Sequence, residues 1–374
     1  MEKSVPEFVQ WSLERTSHPF HMWDGITSIP DTLTTVLTPE VQKSVQQAAA
    51  SLTNARSIHF LGCGSSYFSG IAGTYTFNVV AGITAYAHDA WEFATYPPIG
   101  IGHSALVAIS HTGGTPAVLD SVRIATKNGV PTIGLTDVSG SDLERMTSQT
   151  VLGGGGRELA LPKTRSYVAS LLKHYLLAVE VGRQNSSRDL PKLRTVLEES
   201  PHTARKVLKN SEALAKLIGA NLSQHSQVFI FGAGPNVATA YEGALKLQET
   251  VQLPAHGWEL EEGMHGPWVT INPGDLVIVL ALKGPSLEKA KALITALRTI
   301  EAQVWVITDE ENPIPNATYE TRIVTDVPEY FSPLYTVLPL YQFTYFLALR
   351  RGIRPDAMRL TDERYLHTRL SLPR

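Results

Sequence analysis

The chain has 374 residues, 43% of them hydrophobic and 18% charged, with a net charge of −3. That length suits two domains with proper cores rather than one. Charge and composition argue against three classes: no basic stripe follows a nucleic-acid backbone, no run of about 18 apolar residues spans a membrane, and one cysteine, Cys63, builds neither a disulfide framework nor a cysteine zinc cluster.

Taken in chain order, residues 1–50 read as a helical lead-in. Their first ten residues are broken by Glu2, Lys3 and Glu7 and lack the apolar core of a signal peptide. A soluble, cytoplasmic protein is expected. The stretch SIHFLGCGSSYFSG, Ser57 to Gly70, is an apolar run, a Gly-x-Gly turn and a helix-like segment. QVFIFGAGPNVATAYEGALKLQE, Gln227 to Glu249, repeats that plan, with Gly62 and Gly64 falling on Gly232 and Gly234 at an offset of 170. Leu106-Val107 falls on Leu276-Val277 at the same offset, and PTIGLTD (ending at Asp137) matches VWVITD (ending at Asp309) at 172. One unit therefore occurs twice.

Each copy reads strand, glycine turn, helix, strand, loop, helix, strand. The apolar runs Leu106–Ile109 and Leu276–Leu280 fit parallel strands covered on both faces. Val118, Val122 and Ala125 recur at helical spacing and should face the sheet. The predicted fold is α/β, two tandem doubly wound parallel-sheet domains of flavodoxin-like type. The first covers 51–185, a polar helical connector 186–226, the second 227–352, and a tail 353–374. The run Leu334 to Gly352 is an apolar helix containing Pro339, with Gly352 as its stop.

In such units ligands sit beyond the carboxyl ends of the strands. ISHTGGTPAVLDS, Ile109 to Ser121, sets Ser110, Thr112 and Thr115 around Gly113 and Gly114 at such an end. Free N–H groups, the positive end of a helix and neutral hydroxyl donors suit a tetrahedral anion, a phosphate monoester or a sulfonate. The competing reading is an ordinary helix cap, with Thr115 at the N-cap and Pro116 after it. At the 170 offset the second copy replaces Ser110, His111, Thr112 and Thr115 by Leu280, Ala281, Leu282 and Pro285, which predicts one anion site, in the first copy. A dinucleotide fingerprint is not met, because its third glycine falls on Tyr67, although Asp89 could mimic its ribose acid.

The segments GCGSS, SHTGGT, and EGALKLQE followed by EEGMHGP together resemble the sugar isomerase (SIS) family over roughly residues 40–360. They look most like tandem-SIS proteins such as the isomerase half of glucosamine-6-phosphate synthase, and like amino-sugar-phosphate deaminases and deglycases. The resemblance implies that Ser65, Ser66, Ser110, His111, Thr112 and Thr115 hold a sugar 6-phosphate. It makes Glu249 the catalytic carboxylate, His265 the ring-opening acid, and Lys246 a third catalytic group. LPKTRSY, Leu161 to Tyr167, resembles a Thr-Arg-Ser-aromatic form in deaminase and deglycase relatives, placing Lys163 and Arg165 near the anion. It further implies a homodimer with shared active sites, His265 completing the neighbour's. These residues contain no counterpart of the synthase's glutaminase domain. Glu363 and Arg364 stand about where its tail carries a lysine.

An aldose–ketose isomerase acting on a hexose with a 6-anion, or on its 2-amino or fructosamine derivative, is therefore expected. Deamination, deglycation and a non-catalytic sugar-phosphate-binding regulator are the alternatives. A carboxylate shuttles one proton between C1 and C2, and a histidine protonates the ring oxygen. No metal-ligand spacing is evident, and neither metal nor cofactor is expected.

Overall fold

A computed structural model describes residues 6–98, 100–185, 190–323 and 326–372, without the side chains of 184 and 185. The first five residues of the lead-in, the start of the connector at 186–189 and the last two of the tail lie outside them.

Short, almost wholly buried and mostly apolar runs form the central strands, as expected for sheets covered on both faces. The first sheet contains β1 (Ser57–Gly62), β2 (Thr84–Asp89), β3 (Ser104–Ile109), β4 (Thr132–Thr136) and β5 (Gln149–Leu152). The second contains β6 (Val228–Gly232), β7 (Ala255–Glu259), β8 (Leu276–Leu280), β9 (Gln303–Thr308) and β10 (Tyr319–Arg322). The orders β2-β1-β3-β4-β5 and β10-β9-β8-β6-β7 are the same topology, and every pairing is parallel. This is the flavodoxin-like order, which reverses between β1 and β3 in the first copy. The sequence plan undercounts: each copy has two further strands. The short, partly polar edge strands β2, β5, β7 and β10 carry no continuous apolar run to announce them.

Strand register corrects the repeat alignment. Leu61 pairs with Ala108 and Phe231 with Val279, so the offset grows from 170 at β1/β6 to 171 at β3/β8. The backbone agrees: Ser110 N–H donates to Leu135, and Ala281 N–H to Ile307. Ser110 therefore matches Ala281, Thr112 matches Lys283, Gly113 matches Gly284 and Thr115 matches Ser286. The second copy keeps one of the loop's hydroxyls. Its loop is occupied from within, because Glu329 lies against Ser286 and a Cβ on Gly284 would stand 2.3 Å from Glu329 Oε2.

One hydrophobic core runs between the two sheets, and smaller clusters lie on their outer faces; Val118, Val122 and Ala125 belong to the outer cluster of the first copy. The connector forms helices Leu190–Glu198 and Ser200–Asn221, whose Leu197, Ala204, Val207 and Leu208 are buried in the shared core. The helix Pro333–Arg350 is buried along nearly its whole length, and Gly352 turns the chain at φ +67°. No helix among the described residues is long and apolar enough to cross a membrane.

Candidate active site

The carboxyl ends of β1 and β3, where the strand order reverses, open onto a cavity of about 330 Å³. Its wall holds Ser65 and Ser66 from the turn after β1, and Ser110, His111, Thr112 and Thr115 from the loop after β3. Lys246 and Glu249 from the second copy line it as well. The two copies thus build one site between them.

The glycines make the turns possible. A Cβ on Gly62 would lie 2.5 Å from the backbone of Ser66, so only glycine lets helix Ser65–Thr76 start this close to β1. Gly113 adopts φ +67°, and a Cβ there would meet Ser141 Oγ at 2.3 Å. In the loop, Ser110 Oγ lies 2.9 Å from Thr115 Oγ1 and accepts from Gly113 N–H at 3.1 Å. Thr115 is the N-cap residue of helix Pro116–Lys127, but its side chain accepts no capping hydrogen bond. Among the described residues, the hydroxyls of Ser66 and Thr112 make no hydrogen bond within the protein. The cap reading thus explains the backbone position of Thr115 and not its hydroxyl. Asp89, weighed as a ribose ligand, is a helix cap that accepts from Trp91 and Glu92 N–H.

His111 lines the cavity but spends its ring elsewhere. Nδ1 lies 2.9 Å from Asp137 Oδ2, and Nε2 is 3.0 Å from Glu158 N. A backbone N–H can only donate, so Nε2 accepts and Nδ1 carries the hydrogen. Both ring nitrogens are thus engaged within the protein: the side chain fastens the loop to Asp137 and residue 158, and the backbone of His111 remains in the loop. Asp137 is shared with Lys173, whose fully buried Nζ lies 2.5 Å from Oδ1 and 3.0 Å from Thr136 O. Burial opposes the Asp137 charge, but Lys173 and His111 outweigh it and hold the carboxyl below its ordinary range.

Lys163 lines the cavity, its Nζ donating to the carbonyls of Glu158 (3.1 Å) and Ala160 (2.7 Å). Burial pushes its pKa down, with Glu158 opposing. Arg165 points away from the cavity. Its guanidinium binds the carbonyls of Gly154, Gly156 and Arg157, and it lines a different hollow beside the lead-in helices.

Glu242, Lys246 and Glu249 follow i, i+4, i+7 and share one helical face. Lys246 Nζ hydrogen-bonds Glu249 and lies 3.6 Å from Glu242 Oε1. Glu249 sits in a π-helical turn, Leu247–Val251, a feature frequent at functional sites. Lys246 and Glu242 are almost wholly buried, and Glu249 keeps 17% of its side-chain surface exposed. One ammonium faces two carboxylates. Burial and the negative charge of Glu249 push Glu242 up to about 7, against the pull of Lys246. The two acids together outweigh burial at Lys246, whose pKa is raised.

Glu242 is absent from the sequence-derived candidates, although it opens the quoted motif EGALKLQE. Its i, i+4, i+7 spacing with Lys246 and Glu249 was the available signal. Tyr167 and Arg369 also line the cavity. His265 does not: it caps helix Leu260–Met264 with a 67% exposed side chain, 3.0 Å from Glu261 Oε1. Within one chain the structure does not bring His265 and Glu249 together. No group of three or more metal-ligating side chains occurs among the described residues.

The family model for the SIS domain matches residues 51–180 and 221–350, both copies. The Clostridium tetani glutamine–fructose-6-phosphate aminotransferase (isomerizing) is 27% identical over 320 residues, covering 84% of this chain and 52% of its own. The chain therefore spans about half the length of that relative. The C-terminal domain of glucosamine-fructose-6-phosphate aminotransferase from Francisella tularensis superposes with a TM-score of 0.79 at 18% identity, covering 92% of this chain and 98% of that one. The glucosamine-6-phosphate deaminase of Thermotoga maritima gives 0.70 at 24% identity over 90% and 96%.

Proposed function

The chain belongs to the SIS-domain family, and from that premise we propose that it is an aldose–ketose isomerase for a hexose bearing a 6-anion, or for its 2-amino or fructosamine derivative. The anion is a phosphate or, with the same tetrahedral geometry, a sulfonate. One observation supports the reading: the hydroxyl loop and Glu249 line one and the same cavity of about 330 Å³, so a ligand fastened there by its tail has a carboxylate within the same space for its carbonyl end.

Ser65, Ser66, Ser110, Thr112 and Thr115 hold the anion with neutral donors, helped by the loop N–H groups and by Lys163. Glu249 removes the proton from C2 of the aldose, or C1 of the ketose, and returns it to the neighbouring carbon through an enediol or enolamine. Lys246 faces the charge that develops on oxygen. Glu242 positions Lys246 and keeps it charged. Opening of a cyclic substrate falls to His265 of a second chain in a homodimer. The exposure of His265 on its own chain supports that assignment.

The test is a screen for turnover and for solvent-deuterium exchange at C1 and C2. Its substrates are hexose 6-phosphates, their 2-amino forms, fructosamine 6-phosphates and 6-sulfo sugars. Exchange with at least one class is expected. Binding of a hexose 6-phosphate without exchange would assign the chain to the sensor class instead.

A further inference from the structure

Beyond Glu249 lies a second chamber of about 470 Å³ that the isomerase reading leaves unused. It shares Leu245 and Glu249 with the anion cavity, so it opens at the reacting end of a sugar whose 6-anion sits in the cradle. Leu253, Pro254, Met358 and Tyr365 give it apolar walls, and Gln248 and Gln252 add amides. Its one cation is Arg359, whose guanidinium stacks 4.0 Å from the centre of the Tyr365 ring. Among the described residues no carboxylate lies within ion-pair distance of Arg359. The nearby Asp362 is tied to Arg364.

The backbone around this chamber is held in an unusual state. Five non-glycine residues among those described have positive φ, and three of them, Gln252 (57°), Met358 (44°) and Arg359 (63°), line it. Such strain persists only where the surroundings impose it, and it clusters at ligand clamps. The repeat gives an internal control. Gly82, φ +68°, ends the π-helical turn Phe77–Ala81 of the first copy, and Gln252 occupies the same place after Leu247–Val251. Glycine fits that geometry without strain. The second copy instead carries a side chain there, and that side chain lines the chamber.

From this we infer that the chamber is a specificity site for a substituent on the nitrogen at C1 or C2: an amine with an apolar body and a carboxylate, as in an amino acid joined to the sugar, with Arg359 holding the carboxylate. A planar guanidinium pre-positioned on an aromatic ring suits bidentate recognition of a carboxylate, and the apolar walls suit a hydrocarbon side chain better than a second sugar. This rests on the isomerase-type reading only in placing the sugar's 6-anion in the hydroxyl loop.

The test uses ligands that cannot react. Calorimetry compares glucitol 6-phosphate, its 1-deoxy-1-(L-leucino) conjugate and the corresponding leucinamide conjugate on the full chain, on Arg359→Met and on Gln252→Gly. The leucine conjugate should bind roughly tenfold to a hundredfold more tightly than the amide, the span expected for a charge-assisted hydrogen bond. Arg359→Met should erase that preference. Gln252→Gly relieves the backbone and so should fold, and it should weaken both conjugates relative to glucitol 6-phosphate. Equal binding of all three ligands, or a preference that survives Arg359→Met, overturns the inference while leaving the anion cradle intact. Failure of all three ligands to bind overturns the cradle and the inference together.

Discussion

Glu242 Oε1 lies 3.6 Å from Lys246 Nζ, both side chains buried, on the helix that carries Glu249. A single ammonium neutralises one carboxylate well, and Glu249 has the shorter contact. Glu242 is therefore pushed up to about 7 by burial and by Glu249. A carboxyl whose folded pKa is raised binds its proton more tightly in the native state, so it contributes stability below its unfolded pKa that is lost as pH rises to about 7. Between about pH 4.5 and 7 that amounts to at most about 3 kcal/mol. Denaturant midpoints for Glu242→Gln should fall less across this window than those of the unsubstituted chain. Equal slopes would contradict the assignment.

The Lys173–Asp137–His111 chain ties β4, the anion loop and residue 158 together with no solvent access at Lys173. Lys173→Met leaves Asp137 buried with half its partners gone. Breaking one side of such a pair costs about 3–5 kcal/mol. Thermal or urea unfolding should show a loss of that size, and a loss within 1 kcal/mol would mean that Asp137 finds another partner.

Thr115 sits at a helix N-cap without a capping hydrogen bond from its side chain. Thr115→Val should therefore change stability by less than about 1 kcal/mol, below the usual effect of losing a cap. The same change should raise the KM or Kd for the anionic sugar about tenfold, the worth of one hydrogen bond to a charged group. A large stability loss with unchanged affinity would return Thr115 to a structural role.

Much of this arrangement is legible in the sequence because its causes are local. Continuous apolar runs mark β1, β3, β6 and β8, and paired glycines mark the turns after β1 and β6. The hydroxyls of Ser110, Thr112 and Thr115 cluster within six residues. The edge strands escape notice because half their side chains are polar. Glu242 is missed for a different reason: a glutamate on a helix reads as solvated, and only packing against Tyr341 and the core shows that it is buried. The resemblance implies His111 and Arg165 as ligands, yet Asp137, Glu158 and the carbonyls of 154, 156 and 157, distant in sequence from His111 or brought back by the fold, engage their nitrogens. The one-residue slip in the repeat lies between β6 and β8, where spacing alone offers no register.

His265 is exposed on its own chain and outside the cavity of Glu249. If a second chain supplies it, Glu249→Gln and His265→Ala should each be inactive alone on cyclic substrate, while a mixture regains measurable turnover. No recovery after dissociation and reassembly would mean that the two residues serve the same chain or that His265 has no part.

Proton transfer by Glu249, on a sugar held by its far end, is the step most directly open to measurement. In deuterated water, the unsubstituted chain should place deuterium at C1 or C2 of a bound hexose 6-phosphate or one of its amino derivatives. Glu249→Gln should stop that labelling while binding the same ligand with similar affinity. Labelling that continues at the same rate in Glu249→Gln would contradict it.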